Sequence, residues 1–191
     1  MKERKLREEI GEVEEHLAKK QDAFDTVMQT SRDMIRDAGR TITLLHNGSL
    51  DEASARLNAL GRKSKQLMKI DGDFRYNTMQ AYQEYAEAFI FSSIKTKRKV
   101  PCREEIGIDY DAYLMGLMDV VGELKREILE SLRAGDLKTA EFYFDTMKDI
   151  YDSTRSLRFA EAVLPGFRKK QDVARIQIEN AGGEILSFRK R

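Results

Sequence analysis

The sequence predicts an all-α fold, a single-domain bundle of six or seven antiparallel helices over residues 1–191. Three observations support this prediction. Apolar residues recur at helical spacing through most of the chain, and no stretch alternates apolar and polar residues as a half-buried strand does. Only 2 prolines occur, and the breaks between periodic segments are short. Hydrophobic residues make up 41% of the chain, which is enough apolar material for one core.

Three helices are predicted in the N-terminal half. The first covers residues 3 to about 46, and a helix this long in a small domain often packs partly against another subunit, with a heptad coiled coil as the alternative. Asn47-Gly48 ends it, and a second helix follows over about 51–69. Asp71-Gly72-Asp73 marks the next break, before a third helix over about 73–98. Aromatic residues at helical spacing on this helix predict a core-facing side: Phe74, Tyr82, Tyr85 and Phe89.

Three further helices are predicted in the C-terminal half. After a short connection, one runs from Tyr110 to near Arg133. Asp136 is the expected N-cap of the next, which extends to about residue 160. Pro165 is expected to start the last, because proline suits the first helical position. The apolar stripe predicted for this helix consists of Val173, Ile176, Ile185, Leu186 and Phe188.

Charge and cysteine content restrict the classes of function. The net charge is +1, so any binding to nucleic acid must depend on local basic patches rather than on a global field. The single cysteine, Cys102, excludes an intrachain disulfide framework and fits a reducing compartment. No apolar run has the length of a membrane span, and the N-terminus lacks the apolar core of a signal peptide. We therefore expect a soluble, cytoplasmic protein without a membrane partner.

Two pairs of acids suggest a catalytic site. Asp119 and Glu123 share one face of an otherwise apolar helix, and Glu84 and Glu87 lie one turn apart on the preceding one. A connection of roughly ten residues between these helices predicts antiparallel neighbours with the two pairs facing each other. Four converging carboxylates repel unless cations lie between them, and oxygen ligands favour Mg²⁺ or Mn²⁺. Such ions can activate water at a phosphodiester or phosphoanhydride, so the residues predict a metal-dependent phosphoryl hydrolase.

Each of these residues also has a purely structural explanation. Glu84 and Glu87 can face solvent as an ordinary charged pair. Solvent exposure is also the alternative for Asp119, although apolar residues flank it on both sides. A ferritin-like di-iron site is disfavoured because it requires Glu-x-x-His, and neither histidine of this chain, His16 or His46, occurs in that pattern. We interpret both histidines as surface or packing residues.

Several short motifs follow one another in a distinctive order. They are QEYAEA at 83–88, DAYLMGL at 111–117, Asp119 followed by GELKR at 122–126, GD at 135–136 and IYD at 150–152. Over residues 74–159 their order and spacing resemble the translin family, and specifically its translin-associated factor X (TRAX) branch. Ser153 stands where the family pattern has a glycine.

This resemblance implies a function and an assembly. It implies an octameric hollow shell, a homo-oligomer if the chain acts alone, that binds RNA or single-stranded DNA. In the TRAX-like branch it implies that Glu84, Glu87, Asp119 and Glu123 form a Mg²⁺-dependent endoribonuclease site facing the interior of the shell. The expected substrate is single-stranded RNA or the strands of an RNA duplex, and Mn²⁺ is the alternative ion.

Basic residues near the acids are candidates for nucleic-acid binding. Arg126 lies about one turn beyond Glu123 and can grip a phosphate, although it can equally be an exposed arginine. The end of the third helix carries four more candidates, which can attract an RNA backbone or simply complement the helix dipole: Lys95, Lys97, Arg98 and Lys99.

Two rival functions stay open. One is an all-α, Mg²⁺-dependent nucleotide pyrophosphohydrolase, but the expected order E-E-x-x-E followed by E-x-x-D is not met by these acids. The other is a non-catalytic scaffold for RNA or single-stranded DNA, in which the acids are buried pairings. Cleavage of RNA, hydrolysis of nucleoside triphosphates and binding without cleavage separate the three functions.

Overall fold

The computed structural model describes the chain over residues 2–97 and 99–190, with the side chains of 5–96 and 99–190. Within these ranges the structure is helical and contains no strand, so the all-α prediction is confirmed. A 3₁₀ turn over Gly72–Phe74 precedes the third helix. The helices are α1 (Lys2–His46), α2 (Leu50–Ile70), α3 (Arg75–Lys97), α4 (Arg103–Ile106), α5 (Tyr110–Arg133), α6 (Leu137–Thr154) and α7 (Phe167–Arg189).

The long helices run in two directions. Helices α1, α3, α5 and α7 run one way, and α2 and α6 run the other way. Arg75, at the start of α3, contacts Asp109 directly before α5. Lys95, near the end of α3, contacts Glu127 in the second half of α5. Helices α3 and α5 are therefore parallel, and the antiparallel arrangement predicted for this pair is wrong.

The segment between α3 and α5 explains their parallel course. It contains the short helix α4, and it returns along the bundle instead of forming a hairpin. The Tyr85 hydroxyl, halfway along α3, donates to the carbonyl oxygen of Ile106 at 3.4 Å. The Tyr113 hydroxyl on α5 donates to the carbonyl oxygen of Pro101 at 3.0 Å. A returning connection brings the start of α5 to the start of α3, which makes the two helices parallel.

Helix α6 begins as predicted but ends earlier. The Asp136 carboxylate accepts a hydrogen bond from the backbone N–H of Thr139 at 2.9 Å, which confirms the predicted N-cap. The helix ends at Thr154. There the Gln171 side chain donates to the Thr154 carbonyl oxygen at 2.8 Å, so a side chain of α7 satisfies a backbone acceptor that the helix leaves free.

Helix α7 starts later than predicted and buries a different face. Gly166 adopts a left-handed conformation with φ of 78°, and the helix begins at Phe167 rather than at Pro165. Ile185 is buried as predicted, but Val173, Ile176 and Leu186 are exposed. The other residues that α7 buries are Phe167, Gln171, Ala174 and Ala181. Two of the five buried residues are alanines, Ala174 and Ala181, which let α7 approach its neighbours closely, and hydropathy alone does not identify such positions.

Helix α1 extends beyond the bundle at its N-terminal end. A stripe of apolar side chains there is exposed: Leu6, Ile10, Val13 and Leu17. Their spacing places them on one face of the helix. The expectation that α1 packs partly against another subunit stays a prediction.

Helix α3 lies at the centre of the core. Tyr82 and Tyr85 are buried, which confirms the core-facing role predicted for these two aromatic residues. Ile90 and Phe91 are also buried, so this helix contacts neighbours on several sides. Among the described residues, no helix combines the length and apolar character that crossing a membrane requires.

The buried carboxylate of Asp71 joins the turn after α2 to this core. Its Oδ2 accepts hydrogen bonds from the Tyr82 hydroxyl at 2.7 Å, the Thr78 hydroxyl at 2.9 Å and the Arg75 guanidinium at 2.7 Å. Burial favours the neutral acid, but these three donors outweigh it and hold the pKa of Asp71 below its usual range. The sequence indicated only a helix break at this position.

We expect Asp71→Asn to lower the free energy of unfolding by about 3 kcal/mol at pH 7, because it leaves three donors without an ionised acceptor. A depressed pKa means that the stabilisation is present above the ordinary value of 3.8 and is lost as the pH falls below it. Urea unfolding at pH 7 and pH 3 should therefore show a smaller difference from the wild type at pH 3. Asp73→Asn, in the same turn but exposed, is the control and should be neutral. Equal losses for both variants at pH 7 would contradict the prediction.

Candidate active site between helices α3 and α5

Helices α3 and α5 are in close contact at Gly116. A Cβ atom at this position would lie 2.7 Å from Ala86 Cβ and 2.7 Å from the Gln83 carbonyl oxygen. Both distances are well inside van der Waals contact, so only glycine allows this spacing. The predicted acids of α3 lie within the same turn, at Glu84 and Glu87.

The parallel course of α3 and α5 brings the four predicted acids to one level. Glu84 and Asp119 each lie nine residues beyond the first residue of their helix, and Glu87 and Glu123 follow about one turn later. The charges of Asp119, Glu84 and Glu123 all act on Glu87. The structure thus places the four acids within electrostatic reach of one another.

Glu87 is the buried member of this group. Its side chain is 8% exposed, so solvent exposure, the structural alternative for this residue, is wrong. Burial, reinforced by the negative charges of Asp119, Glu84 and Glu123, raises the pKa of Glu87 to about 9. Burial also raises the pKa of Glu84, which is half-buried. No described side chain forms a hydrogen bond with the Glu87 carboxyl.

Asp119 has a partner on each of its carboxylate oxygens. The Gln83 amide donates to Oδ2 at 2.6 Å, and the Lys170 ammonium forms an ion pair with Oδ1. The Asp119 side chain is 23% exposed, so it lies at the edge of the core. Lys170 belongs to α7, and no feature of the sequence linked it to Asp119.

His46, the last residue of α1, contacts the carboxylates of Glu123 and Glu127. Its Nε2 lies 2.5 Å from Glu123 Oε2, and its Nδ1 lies 2.6 Å from Glu127 Oε1. Ionised carboxylates only accept hydrogen bonds, so this arrangement favours hydrogen on both ring nitrogens, which is the imidazolium form. Burial opposes this charge, but the hydrogen bonds to Glu123 and Glu127 outweigh it and hold the pKa of His46 above its usual range.

The interpretation of His46 as a surface or packing residue is therefore incomplete. The ring does pack, with its centroid 4.9 Å from that of Phe91. It also orients an acid of the candidate site, a role that sequence spacing did not reveal. Glu127 was missed for the same reason. Burial favours its neutral form, but hydrogen bonds from His46 and Lys95 hold the pKa of Glu127 below its usual range.

The cations predicted to bind nucleic acid lie in different surroundings. Lys95 is largely buried and pairs with a carboxylate of α5 at 2.8 Å. Lys99 pairs with a carboxylate of α4 at 2.6 Å. Arg126 is exposed beside the acid site. The Lys97 side chain and Arg98 lie outside the described residues. Binding of nucleic acid by these residues stays a prediction.

The charges at the site suit a hard divalent cation. Asp119 and Glu123 have cationic partners, whereas Glu84 and Glu87 form no ion pair with any described side chain. Carboxylate oxygens are the ligands that Mg²⁺ and Mn²⁺ prefer, so the donor set fits such an ion. As placed, no three His, Cys, Asp or Glu side chains of the described residues stand close enough to enclose a metal. Asp119 and Glu123 are turned instead towards their protein partners.

The fold and the site define an all-α bundle protein with a carboxylate-lined site on two parallel helices. Comparison with known proteins narrows this class. The chain belongs to the translin family, whose profile matches residues 5–181. This confirms the resemblance drawn from the motifs.

Two curated relatives illustrate the range of similarity. An uncharacterised protein of Methanocaldococcus jannaschii is 31% identical over 185 residues, which cover 95% of this chain and 83% of that protein. The translin-associated protein X of Rattus norvegicus is 24% identical, and the match covers 73% of this chain. The match spans 63% of the length of the rat protein.

Solved structures share the whole fold. A chain of AfC3PO in its complex with duplex RNA has a TM-score of 0.82 and 27% identity, covering 94% of this chain and 96% of that chain. A chain of apo-NeC3PO has a TM-score of 0.86 with the same coverage. At 20% identity, the second likeness concerns the fold alone.

Proposed function

We propose that this protein is an RNA-binding, metal-dependent endoribonuclease in which Glu84, Glu87, Asp119 and Glu123 hold Mg²⁺ or Mn²⁺. Glu87 carries the proposal, since it is a buried carboxyl that forms no hydrogen bond with a described side chain and lies within reach of the charges of three other acids. Such a group is stable only when it is protonated or lies beside a cation. When bound, a divalent ion would polarise the phosphodiester and activate a water molecule.

Relatives support RNA as the substrate class. AfC3PO, which this chain matches along nearly its whole length, has been solved in complex with duplex RNA. We infer that this chain acts on single-stranded RNA or on the strands of an RNA duplex, and that single-stranded DNA is a possible ligand. Arg126 is exposed about one turn beyond Glu123, and we assign it the binding of a phosphate near the acids.

The assembly that we propose is a homo-oligomer, an octameric shell. The exposed apolar stripe at the N-terminal end of α1 supports association, because soluble monomers rarely leave a continuous apolar face in water. A second copy of the chain can cover it. Sizing by light scattering tests the assembly, and a monomer at all concentrations would contradict it.

Cleavage of a labelled RNA tests the proposed activity. We expect fragments with Mg²⁺ or Mn²⁺, none with chelator, and no hydrolysis of nucleoside triphosphates. Glu84→Gln should slow cleavage at least about tenfold while RNA binding is retained, because it removes a charged ligand but little volume. Glu130→Gln is the matched control. It lies exposed on α5, loses the same charge and should leave the rate unchanged.

Three outcomes would redirect the proposal. Tight RNA binding without cleavage under any metal condition would favour a non-catalytic scaffold. Triphosphate hydrolysis that depends on Glu84 would favour the pyrophosphohydrolase. Fragments that persist in Asp119→Ala and Glu123→Ala would place the nuclease site elsewhere in the chain.

A further inference from the structure

Lys170 forms an ion pair with a carboxylate oxygen of Asp119 that would bind the metal ion in the proposed function. It lies in the first turn of α7, and its ammonium forms an ion pair with Asp119 Oδ1. The Lys170 side chain is 25% exposed, so one side of the ion pair reaches solvent. Because Gln83 donates to Oδ2, both oxygens of Asp119 are engaged by protein groups.

A cavity opens next to this ion pair, between α5 and α7. Its volume is about 390 Å³, and both members of the ion pair, Asp119 and Lys170, belong to its wall. Two lysines give the wall of the cavity a positive charge. The residues that form it include Asp119, Gly122, Lys169, Lys170, Val173 and Gln177.

The ion pair and a divalent cation at Asp119 are incompatible. A lysine ammonium and a divalent ion on one carboxylate oxygen repel strongly in a partly desolvated site. Lys170 must therefore leave Oδ1 when Asp119 becomes a metal ligand. Its four-carbon stem allows this movement, and the adjacent cavity provides space for the ammonium beside the acids. An ammonium displaced into that cavity needs a new anion.

We infer that Lys170 is an exchangeable counter-ion, which neutralises Asp119 in the metal-free protein and binds a phosphate of the RNA once a divalent cation has replaced it. This inference rests on the proposed function. It adds a substrate-binding residue to the site and places the phosphate in the cavity between α5 and α7. Binding of metal at the acid site thereby frees Lys170 to bind the substrate.

Lys169 provides the matched comparison. It lines the same cavity and is exposed, but it forms no ion pair with any described side chain. Removal of its charge changes the potential of the cavity without freeing Asp119. Comparison of variants at the two lysines therefore distinguishes competition with the metal ion for Asp119 from general electrostatic attraction of phosphate.

Mn²⁺ affinity, measured without RNA by electron paramagnetic resonance of the full chain, tests the first step. We expect Lys170→Met to bind Mn²⁺ about tenfold more tightly than the wild type, because the competing charge is gone. Lys169→Met should stay within about twofold of the wild type, since it has no partner to release. Lys170→Gln is the second variant should Lys170→Met fold poorly, with circular dichroism as the check. Unchanged or weaker Mn²⁺ binding in folded Lys170 variants overturns the inference.

RNA cleavage at saturating Mn²⁺ tests the second step. Lys170→Met should lower kcat/KM at least about tenfold despite its tighter metal binding, and Lys170→Arg should restore part of the loss. Tighter Mn²⁺ binding with unchanged cleavage overturns the phosphate-binding role. Mn²⁺ binding that is lost in Glu87→Gln but insensitive to Lys170 leaves the proposed function in place and removes this inference alone. No Mn²⁺ binding by the wild type overturns both.

Discussion

Glu87→Gln is expected to slow RNA cleavage about a thousandfold while it stabilises the metal-free protein. Glu87 is the most buried of the four acids and forms no hydrogen bond with a described side chain. Its charge is therefore costly unless a cation compensates it. Glutamine keeps the shape and removes that cost, but it is a poor ligand for Mg²⁺ because it lacks the charge.

The stability gain of Glu87→Gln should depend on pH. A carboxyl with a raised pKa keeps its proton in the folded state at pH values where the unfolded chain has released it. The contribution of Glu87 to wild-type stability therefore falls as the pH rises from the ordinary value of 4.5 to about 9. The glutamine variant lacks this slope, so its advantage grows across the same range and reaches on the order of 5 kcal/mol at pH 8.

Thermal unfolding in chelator at several pH values measures this gain, and a cleavage assay measures the loss of activity. Added Mg²⁺ should raise the melting temperature of the wild type but not of Glu87→Gln, since binding stabilises only a protein that keeps the ligand. Glu130→Gln, on the solvent side of α5, should change neither property. A Glu87→Gln protein that is destabilised in chelator would show that the carboxyl is satisfied within the folded chain.

Gly116→Ala is expected to lower the free energy of unfolding by about 2 kcal/mol, although alanine is the better helix former. The added methyl group would lie 2.7 Å from Ala86 Cβ and from the Gln83 carbonyl oxygen. The backbone of α3 cannot yield as a flexible side chain does, so the two helices must separate. Because the acids of the site lie on these helices, a shift of about 1 Å should reduce cleavage about a hundredfold.

Gly39→Ala is the matched control for this substitution. Gly39 lies within α1, and a Cβ atom there meets nothing within 4 Å. Without a clash, the higher helix propensity of alanine should stabilise the protein by about 0.5–1 kcal/mol. Chemical unfolding of both variants measures the two effects. A Gly116→Ala protein as stable and as active as Gly39→Ala would show that α3 and α5 tolerate a wider spacing.

The sequence predicted the helices and singled out Asp119 for the same physical reason. Apolar periodicity locates a buried helix face, and a carboxylate such as Asp119 within that face stands out because its charge needs a partner. The direction of α5 relative to α3 could not be predicted in this way. A connection of this length can form a hairpin or return along the bundle, and only tertiary contacts such as that between Tyr85 and Ile106 distinguish the two.

The cationic partners of the acids could not be predicted from the sequence either. His46 and Lys170 lie on helices far from their partners in the chain, and neither occurs in a motif of fixed spacing. The buried face of α7 was mispredicted because Ala174 and Ala181 form part of it, whereas larger apolar residues such as Val173 remain in solvent. Packing distance between helices decided this face more than hydropathy did.

The site is divided between two halves of the chain. His46, Glu84 and Glu87 belong to the unit α1–α3, and Asp119 and Lys170 belong to the unit α5–α7. Each unit consists of helices that neighbour one another in sequence, so each can gain local structure early in folding. The acids repel one another and meet only when the two units dock, which makes completion of the site a late event. An intermediate in which only one unit is folded would hold part of the acid set and would be inactive. The competence to cleave RNA would thus report on completed folding of the whole chain.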